Sequence, residues 1–339
     1  MACSGLTYAT VVVGGLTRLT GSGLSMVDWH LFKEFPPLGS DMWAAEFEKY
    51  KQFPEFQQAN YDMSLEQFKK IWWMEYLHRM MGRTVGAFFV IPAAFFWYKG
   101  WFVRGMRMRV PLFGGLILMQ GLIGWWMVKS GLTEENAAKY SDPQVSHYRL
   151  ATHLSTAFLL YSLLVWTALS HLLPPESLPA TSNLIRLKRL AHTSKALIFL
   201  TALSGAFVAG LDAGLIYNTY PLMGNSLIPS DLLAQKPIWK NLVENPTATQ
   251  FDHRLLGHLS AASVLMSWIY ARKISSPRLR LASTVLLVAV VGQVTLGIST
   301  LLTSVPKTLA SAHQASALAL LTSALVLSHE LQLVKRLPK

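Results

Sequence analysis

Cysteine is nearly missing from this chain: Cys3 is the single thiol in 339 residues. That excludes an intramolecular disulfide and any thiolate-bound metal cluster. Charge is scarce as well, at 14% of residues, against about a quarter in an average soluble domain. Hydrophobic residues make up 52%, so composition alone points to a membrane protein. Acids are fewer than bases, 18 against 30, which leaves a net charge of +12. A surplus of that size could suit nucleic acid, but the bases form no single patch. They gather in short loops between apolar runs, and nucleic acid is set aside as a partner.

Those runs fall near residues 71–98, 110–129, 148–170, 193–211, 251–271, 280–302 and 308–334, each about the length that spans ~30 Å of hydrocarbon. A shorter run, "ACSGLTYATVVVGGLT", opens the chain and looks cut short at its start. Counted together they predict an all-α polytopic membrane protein with eight transmembrane helices. No amphipathic, Arg- and Ser-rich transit segment is visible ahead of the first run, and with that run cut short its absence says little about targeting. Bases alternate between loops. Lys99, Arg104, Arg107 and Arg109 follow the second run, and Arg186, Lys188, Arg189 and Lys195 surround the connection between the fourth and fifth. Arg272, Lys273, Arg278 and Arg280 follow the sixth, and Lys335, Arg336 and Lys339 end the chain. The outer loop at 28–70 holds eight Asp or Glu against five Lys. The positive-inside rule then places both termini on the inner side, cytoplasm or matrix. Amphipathic pieces of that loop, "DMWAAEFEKYKQF" and "MSLEQFKKIWW", predict short surface helices that cap the first half.

The chain repeats itself. "EYLHRMMGRTVG" matches "QFDHRLLGHLSA", and "LATHLSTA" matches "ASAHQASA", setting His78 over His253 and His153 over His313. Gln120 and Gly124 match Gln293 and Gly297; Gly14 and Gly23 match Gly205 and Gly214. The reading is two repeated four-helix bundles: 1–171, an inner-side linker at 172–192, and 193–339. Each half has one His on its second helix and one on its fourth, at a depth of roughly 7–12 Å by helix rise. A single intramembrane His can be a packed, hydrogen-bonded residue. Two matched pairs at one depth, with no cysteine and no carboxylate cluster, suit axial ligation of heme iron.

Neighbouring residues fit a porphyrin. Gly82 and Gly86 follow His78 on its own face, and Gly257 and Ala261 follow His253 likewise; close helix–helix contact is the competing use of such small residues. Arg18, Arg79, Arg83, Arg254 and His258 are candidate propionate contacts, with snorkelling as the alternative for the arginines. The halves differ three residues before the first His, where Glu75 in one is Gln250 in the other, and Arg18 becomes Ala209. A carboxyl in a low-dielectric pocket suits proton exchange near neutral pH, so Glu75 marks the first half as the catalytic one. A plain ion pair with Arg79, four residues on, is the other reading.

The motifs "GGLTRLTGSGLSMVDWH", "EYLHRMMGR", "FDHRLLG" and "AHQ" resemble those of the heme A synthases, specifically the mitochondrial inner-membrane form, over about residues 11–325. The resemblance implies oxidation of the C8 methyl of heme O to a formyl group through an alcohol, for cytochrome c oxidase. It implies His78 and His153 as ligands of the substrate heme, His253 and His313 as ligands of a resident heme b, and Glu75 as the catalytic glutamate. It also implies a ferredoxin-type electron donor, a heme O-forming farnesyltransferase upstream, a homo-oligomer in the lipid bilayer, and both termini in the matrix. The cysteine pair that bacterial relatives often carry in the first outer loop is missing here. Two other classes bear comparison. A di-heme electron-transfer cytochrome has no use for the Glu75/Gln250 difference, and a transporter would favour broken helices, for which Pro92 has no repeat partner.

Overall fold

The computed structural model describes residues 1–30, 34–138 and 143–335. Arg336 and Lys339, counted above among the inner-side bases, lie outside the described residues, as do residues 31–33 of the outer loop. The chain's regular structure is mainly helical, with irregular connections: α1 (Ala2–Leu19), α2 (Ser40–Tyr50), α3 (Pro54–Ala59), α4 (Leu65–Tyr98), α5 (Arg104–Gly131), α6 (Glu134–Ala137), α7 (His147–Leu172), α8 (Ser182–Gly210), α9 (Asn241–Glu244), α10 (Pro246–Arg272), α11 (Pro277–Leu302) and α12 (Lys307–Glu330). Among the described residues the other regular elements are two short 3₁₀ turns and a two-residue parallel pairing of β1 (Leu178–Pro179) with β2 (Val334–Lys335).

Among the described residues six helices are long and apolar enough to cross a membrane: α4, α5, α7, α8, α11 and α12. Two of the eight predicted runs fall short. Helix α1 has only 18 residues and ends on Arg18 and Leu19. Helix α10 carries Gln250, Asp252, His253, Arg254 and His258 in its first half, which dilutes its hydropathy.

Helix starts follow local chemistry. Ser64 and Gln67 form a reciprocal capping box on α4. Asn245 caps α10 with Pro246 in the first turn, and Ser276 with Pro277 does the same for α11. Pro92 sits inside α4 without breaking it. Helix α1 stops at Gly21, whose φ of 66° is open to glycine; the N–H of Ser22 then reaches back to Thr17 O at 2.9 Å. Asp212, with φ 48°, ends α8 in the same left-handed conformation. It stands 191 residues after Gly21, the separation that also relates Gly14 to Gly205.

The chain packs as two units, Ala2–Leu160 and Tyr161–Lys339 (the latter with Met1), divided within α7. In the first unit α1 packs on α4 and α4 on α5. Its outer loop folds as α2 and α3 against the start of α4, around a core of Met26, Trp43, Phe47, Tyr50, Phe68 and Trp72. Phe68 stacks with both Phe47 and Tyr50, at 4.9 and 5.1 Å between ring centroids. In the second unit α8 packs on α10, α10 on α11, α11 on α12 and α12 back on α8, which closes a ring.

Candidate heme-binding and acid–base site

All four predicted histidines meet a glycine of another helix. A Cβ built on Gly14 would stand 2.6 Å from His78 Cε1, and one on Gly297 would stand 2.8 Å from His313 Cε1. The corresponding distances are 3.1 Å for Gly205 to His253 and 3.2 Å for Gly124 to His153. At Gly14 and Gly297 only a residue without a side chain leaves room for the imidazole where it stands, while at Gly205 and Gly124 an added methyl would push the ring by a few tenths of an ångström. Those glycines were visible in the sequence as repeat partners, but their use as seats depends on how the helices cross. Gly82 and Gly257, one turn after the first His of each half, face open space, since an added Cβ would meet nothing within 4 Å. A Cβ on Gly86 would touch Ile117 at 3.7 Å.

In the second unit the rings of His253 and His313 lie 6.4 Å apart between centroids, at 85°. No group of three or more His, Cys, Asp or Glu among the described residues could hold a bare metal ion. Two facing imidazoles therefore suit an iron that brings its own four nitrogens.

What holds each ring differs. Ser204 Oγ donates to Thr201 O at 2.8 Å, so it accepts from His253 Nδ1–H, also at 2.8 Å. That leaves the Nε2 lone pair of His253 free for a metal. His313 is held by Gln293, whose amide nitrogen lies 3.2 Å from Nδ1 and 3.1 Å from the backbone carbonyl of His313, while Ser316 Oγ donates to the amide oxygen. Gln120 does the same for His153. With its oxygen toward Thr156 Oγ1 and the Ala157 N–H, its nitrogen lies 3.2 Å from both Nδ1 and the carbonyl of His153. His78 breaks the pattern: its Nδ1 is out of reach of solvent and makes no hydrogen bond.

Glu75 is buried and fully engaged. Its Oε2 accepts from Ser25 Oγ and the Met26 N–H, both at 2.8 Å. Its Oε1 accepts from Arg79 Nε and Nη2, at 3.2 and 2.7 Å. Arg79 also donates to Met26 O at 2.7 Å, Asp28 O at 2.7 Å and Glu34 Oε1 at 2.9 Å, and Arg83 donates to Glu34 and to His30 O. Gln250 takes the matching place, donating to Ala213 O at 2.8 Å and Tyr217 O at 3.2 Å. Arg254 donates to Tyr217 O at 2.9 Å and to Gln250 Oε1 at 3.0 Å. Both pairs tie down the segment that follows the first helix of their half. Glu34 was missed from sequence, because it lies in an irregular loop where no periodicity marks it.

The remaining candidate cations also have protein partners. Arg18 donates to Gln144 Oε1 at 2.6 Å, and His258 Nε2 lies 3.0 Å from Tyr220 OH with the two rings stacked. A cavity of about 220 Å³ opens beside Arg79, between Val27, Trp29, Trp125, Val128, Lys129 and Leu132. Lys129 was not singled out in the sequence. Its ammonium lies over Trp125 at 5.3 Å, and the repeat sets Leu302 at its place in the second half.

Residues 1–325 match the COX15-CtaA family, described as cytochrome oxidase assembly protein. The chain belongs to that family. It is 54% identical to heme A synthase COX15 of Homo sapiens over all of this chain and 82% of the relative. It is 48% identical to heme A synthase COX15 of Arabidopsis thaliana, over 98% of this chain and 74% of the relative. A bacterial relative, heme A synthase of Nitrosospira multiformis, is 46% identical over 97% of this chain and 91% of its own length. The family assignment agrees with the resemblance read from the motifs.

Proposed function

We propose that the protein is a heme A synthase of the mitochondrial inner membrane, an oxidoreductase that converts the C8 methyl of its substrate heme O to a formyl group through an alcohol. The observation that carries the reading is the fourfold arrangement of imidazoles on glycine seats, in a chain of this family. His78 and His153 would hold the substrate, and His253 and His313 a resident heme b. Heme b, when bound, supplies one-electron transfer. The open space at Gly257 and the free Nε2 of His253 fit that group.

The chain's own residues divide the work. Glu75 is the acid–base group of the first half, and Ser25 and Arg79 form its immediate proton and charge surroundings. Lys129 and Arg79, at the cavity beside Trp125, join Arg18 and Arg83 as candidates for the substrate's propionates, and Arg254 and His258 serve the second half. The organisation is eight transmembrane helices in two four-helix halves, 1–171 and 193–339, joined at 172–192. Both termini face the matrix, with the outer loop at 28–70 over the first half. A ferredoxin-type protein donates electrons, a heme O-forming farnesyltransferase supplies the substrate, and the protein works as a homo-oligomer.

Extraction of hemes from the purified protein tests this reading. Heme b together with heme O or its alcohol is the expected content, while two tightly held b hemes would mean an electron-transfer cytochrome instead.

A further inference from the structure

The second asymmetry between the halves lies beside the iron ligands themselves. Thr10 and Thr201 are repeat partners, and the carbonyl of each acts on the first histidine of its half. Three residues on, Ser204 has Val13 as its partner. The Ser204 hydroxyl sends its proton to Thr201 O and takes the Nδ1–H of His253, fixing both the tautomer and the plane of that ring. Valine can do neither, so His78 keeps the Thr10 carbonyl beside its ring but its Nδ1 makes no hydrogen bond of ordinary distance and angle. The fourth-helix histidines show no such difference, since Gln120 and Gln293 treat His153 and His313 alike.

We infer that Ser204 is a positioning residue that locks His253 as a permanent ligand, and that Val13 in its place leaves His78 as the ligand that turns away to admit and release the substrate porphyrin. The inference rests on the ligand assignment proposed above. A histidine ligand normally gives its second nitrogen to an acceptor that orients it, and removing such a partner typically costs 10–100-fold in metal affinity. Without that partner a ring can rotate with less resistance. A site that must exchange its heme needs this freedom, and a site that keeps its heme does not.

Exchanging the two residues tests the idea in the full-length protein. Val13→Ser would give the new hydroxyl the Thr10 carbonyl for its proton, as Ser204 uses Thr201. Transfer of hemin to apomyoglobin should then slow by about 10–100-fold for the first site, with a more uniformly low-spin ferric spectrum and slower turnover. Ser204→Ala should speed loss of heme b by a similar factor, and Ser204→Thr should restore retention. In heme-free protein labelled with ¹⁵N-histidine, Ser204→Ala should also shift the His253 signals away from the Nδ1–H tautomer. Unchanged exchange and spin state in Val13→Ser would overturn the inference, provided His78→Ala abolishes binding at the first site. If both His78→Ala and His253→Ala keep full heme, the ligand assignment fails and takes this inference with it.

Discussion

Both halves tie the segment after their first helix to the same two places on their second helix, and they do it with opposite polarity. In the first, the carboxylate of Glu75 accepts from the Met26 N–H and Ser25 Oγ; in the second, the amide of Gln250 donates to the carbonyls of Ala213 and Tyr217. Arg79 and Arg254 bridge each pair four residues on. The tether itself is therefore common architecture, and burial of an acid beside Arg79 is the part peculiar to the first half. A repeat that conserves position while inverting donor and acceptor shows where one half acquired chemistry that the other lacks. It also shows that Glu75 has a structural duty alongside any catalytic one.

The largest effect should come from the ligands. His253→Ala or His313→Ala removes one of two facing imidazoles and strands the other in a dry core, so the reduced b-type absorbance of the purified variant should vanish. Full retention in both would break the assignment of the second half. Next is Glu75→Gln, which installs the residue of the second half in the first. Side-chain volume is kept, so folding and heme b content should survive, while formyl product falls by about 10²–10⁴-fold. The swap is not neutral for the loop. One face of the amide must present N–H to a donor, either Met26 N or Arg79, at a cost of about 1–3 kcal/mol. Heme A formed at the parent rate would remove Glu75 from the chemistry. Loss of porphyrin from the first half would make it only the partner of Arg79.

Smaller effects should separate the glycines that seat a ring from those that do not. Gly14→Ala and Gly297→Ala bring a methyl to 2.6 and 2.8 Å of an imidazole, an overpacking worth about 1–3 kcal/mol. Gly82→Ala and Gly257→Ala meet no protein atom within 4 Å and should leave the heme-free protein as stable as the parent. Thermal unfolding of the four variants in detergent should fall into these two groups, and equal behaviour would mean the glycines do not seat the rings.

Much of this was legible in sequence because it repeats. Matching His78 to His253 and Glu75 to Gln250 needs only residue type and spacing, and the helix starts at Ser64, Asn245 and Ser276 are written in capping chemistry. What stayed hidden depends on contacts between helices. Gln120 and Gln293 appeared as a matched pair without a task, and Val13 against Ser204 passed unnoticed, because neither helix alone shows which ring it faces. Glu34 and Glu55 fall outside the two amphipathic pieces read from the outer loop, which cover α2 and the start of α4 but not α3. Nothing in composition distinguishes a buried acid there from a solvated one.

Glu55 supplies the smallest and most local test of the difference between the halves, since it belongs to the outer segment of the first. It is buried on α3, where Tyr50 OH donates to its Oε2 at 2.8 Å and Asn60 donates to Tyr50 OH at 2.8 Å. Burial pushes its carboxyl up to about 8, with the Glu75 charge adding to the rise and the Tyr50 hydroxyl and Arg18 opposing it. The folded pKa thus lies above the unfolded value of about 4.3, so between them the folded state holds a proton that the unfolded state has released. By linkage the stability of the segment falls as pH climbs from about 4.3 toward 8 and levels off above that. Glu55→Gln keeps the hydrogen bond but cannot ionise, and it should flatten this slope. Hydrogen exchange of the α2–α3 amides, followed from pH 5 to 9 with intrinsic rates divided out, should show protection declining in the parent and nearly constant in the variant. A decline that survives in Glu55→Gln would assign the pH sensitivity to another group and leave Glu55 a silent part of the core.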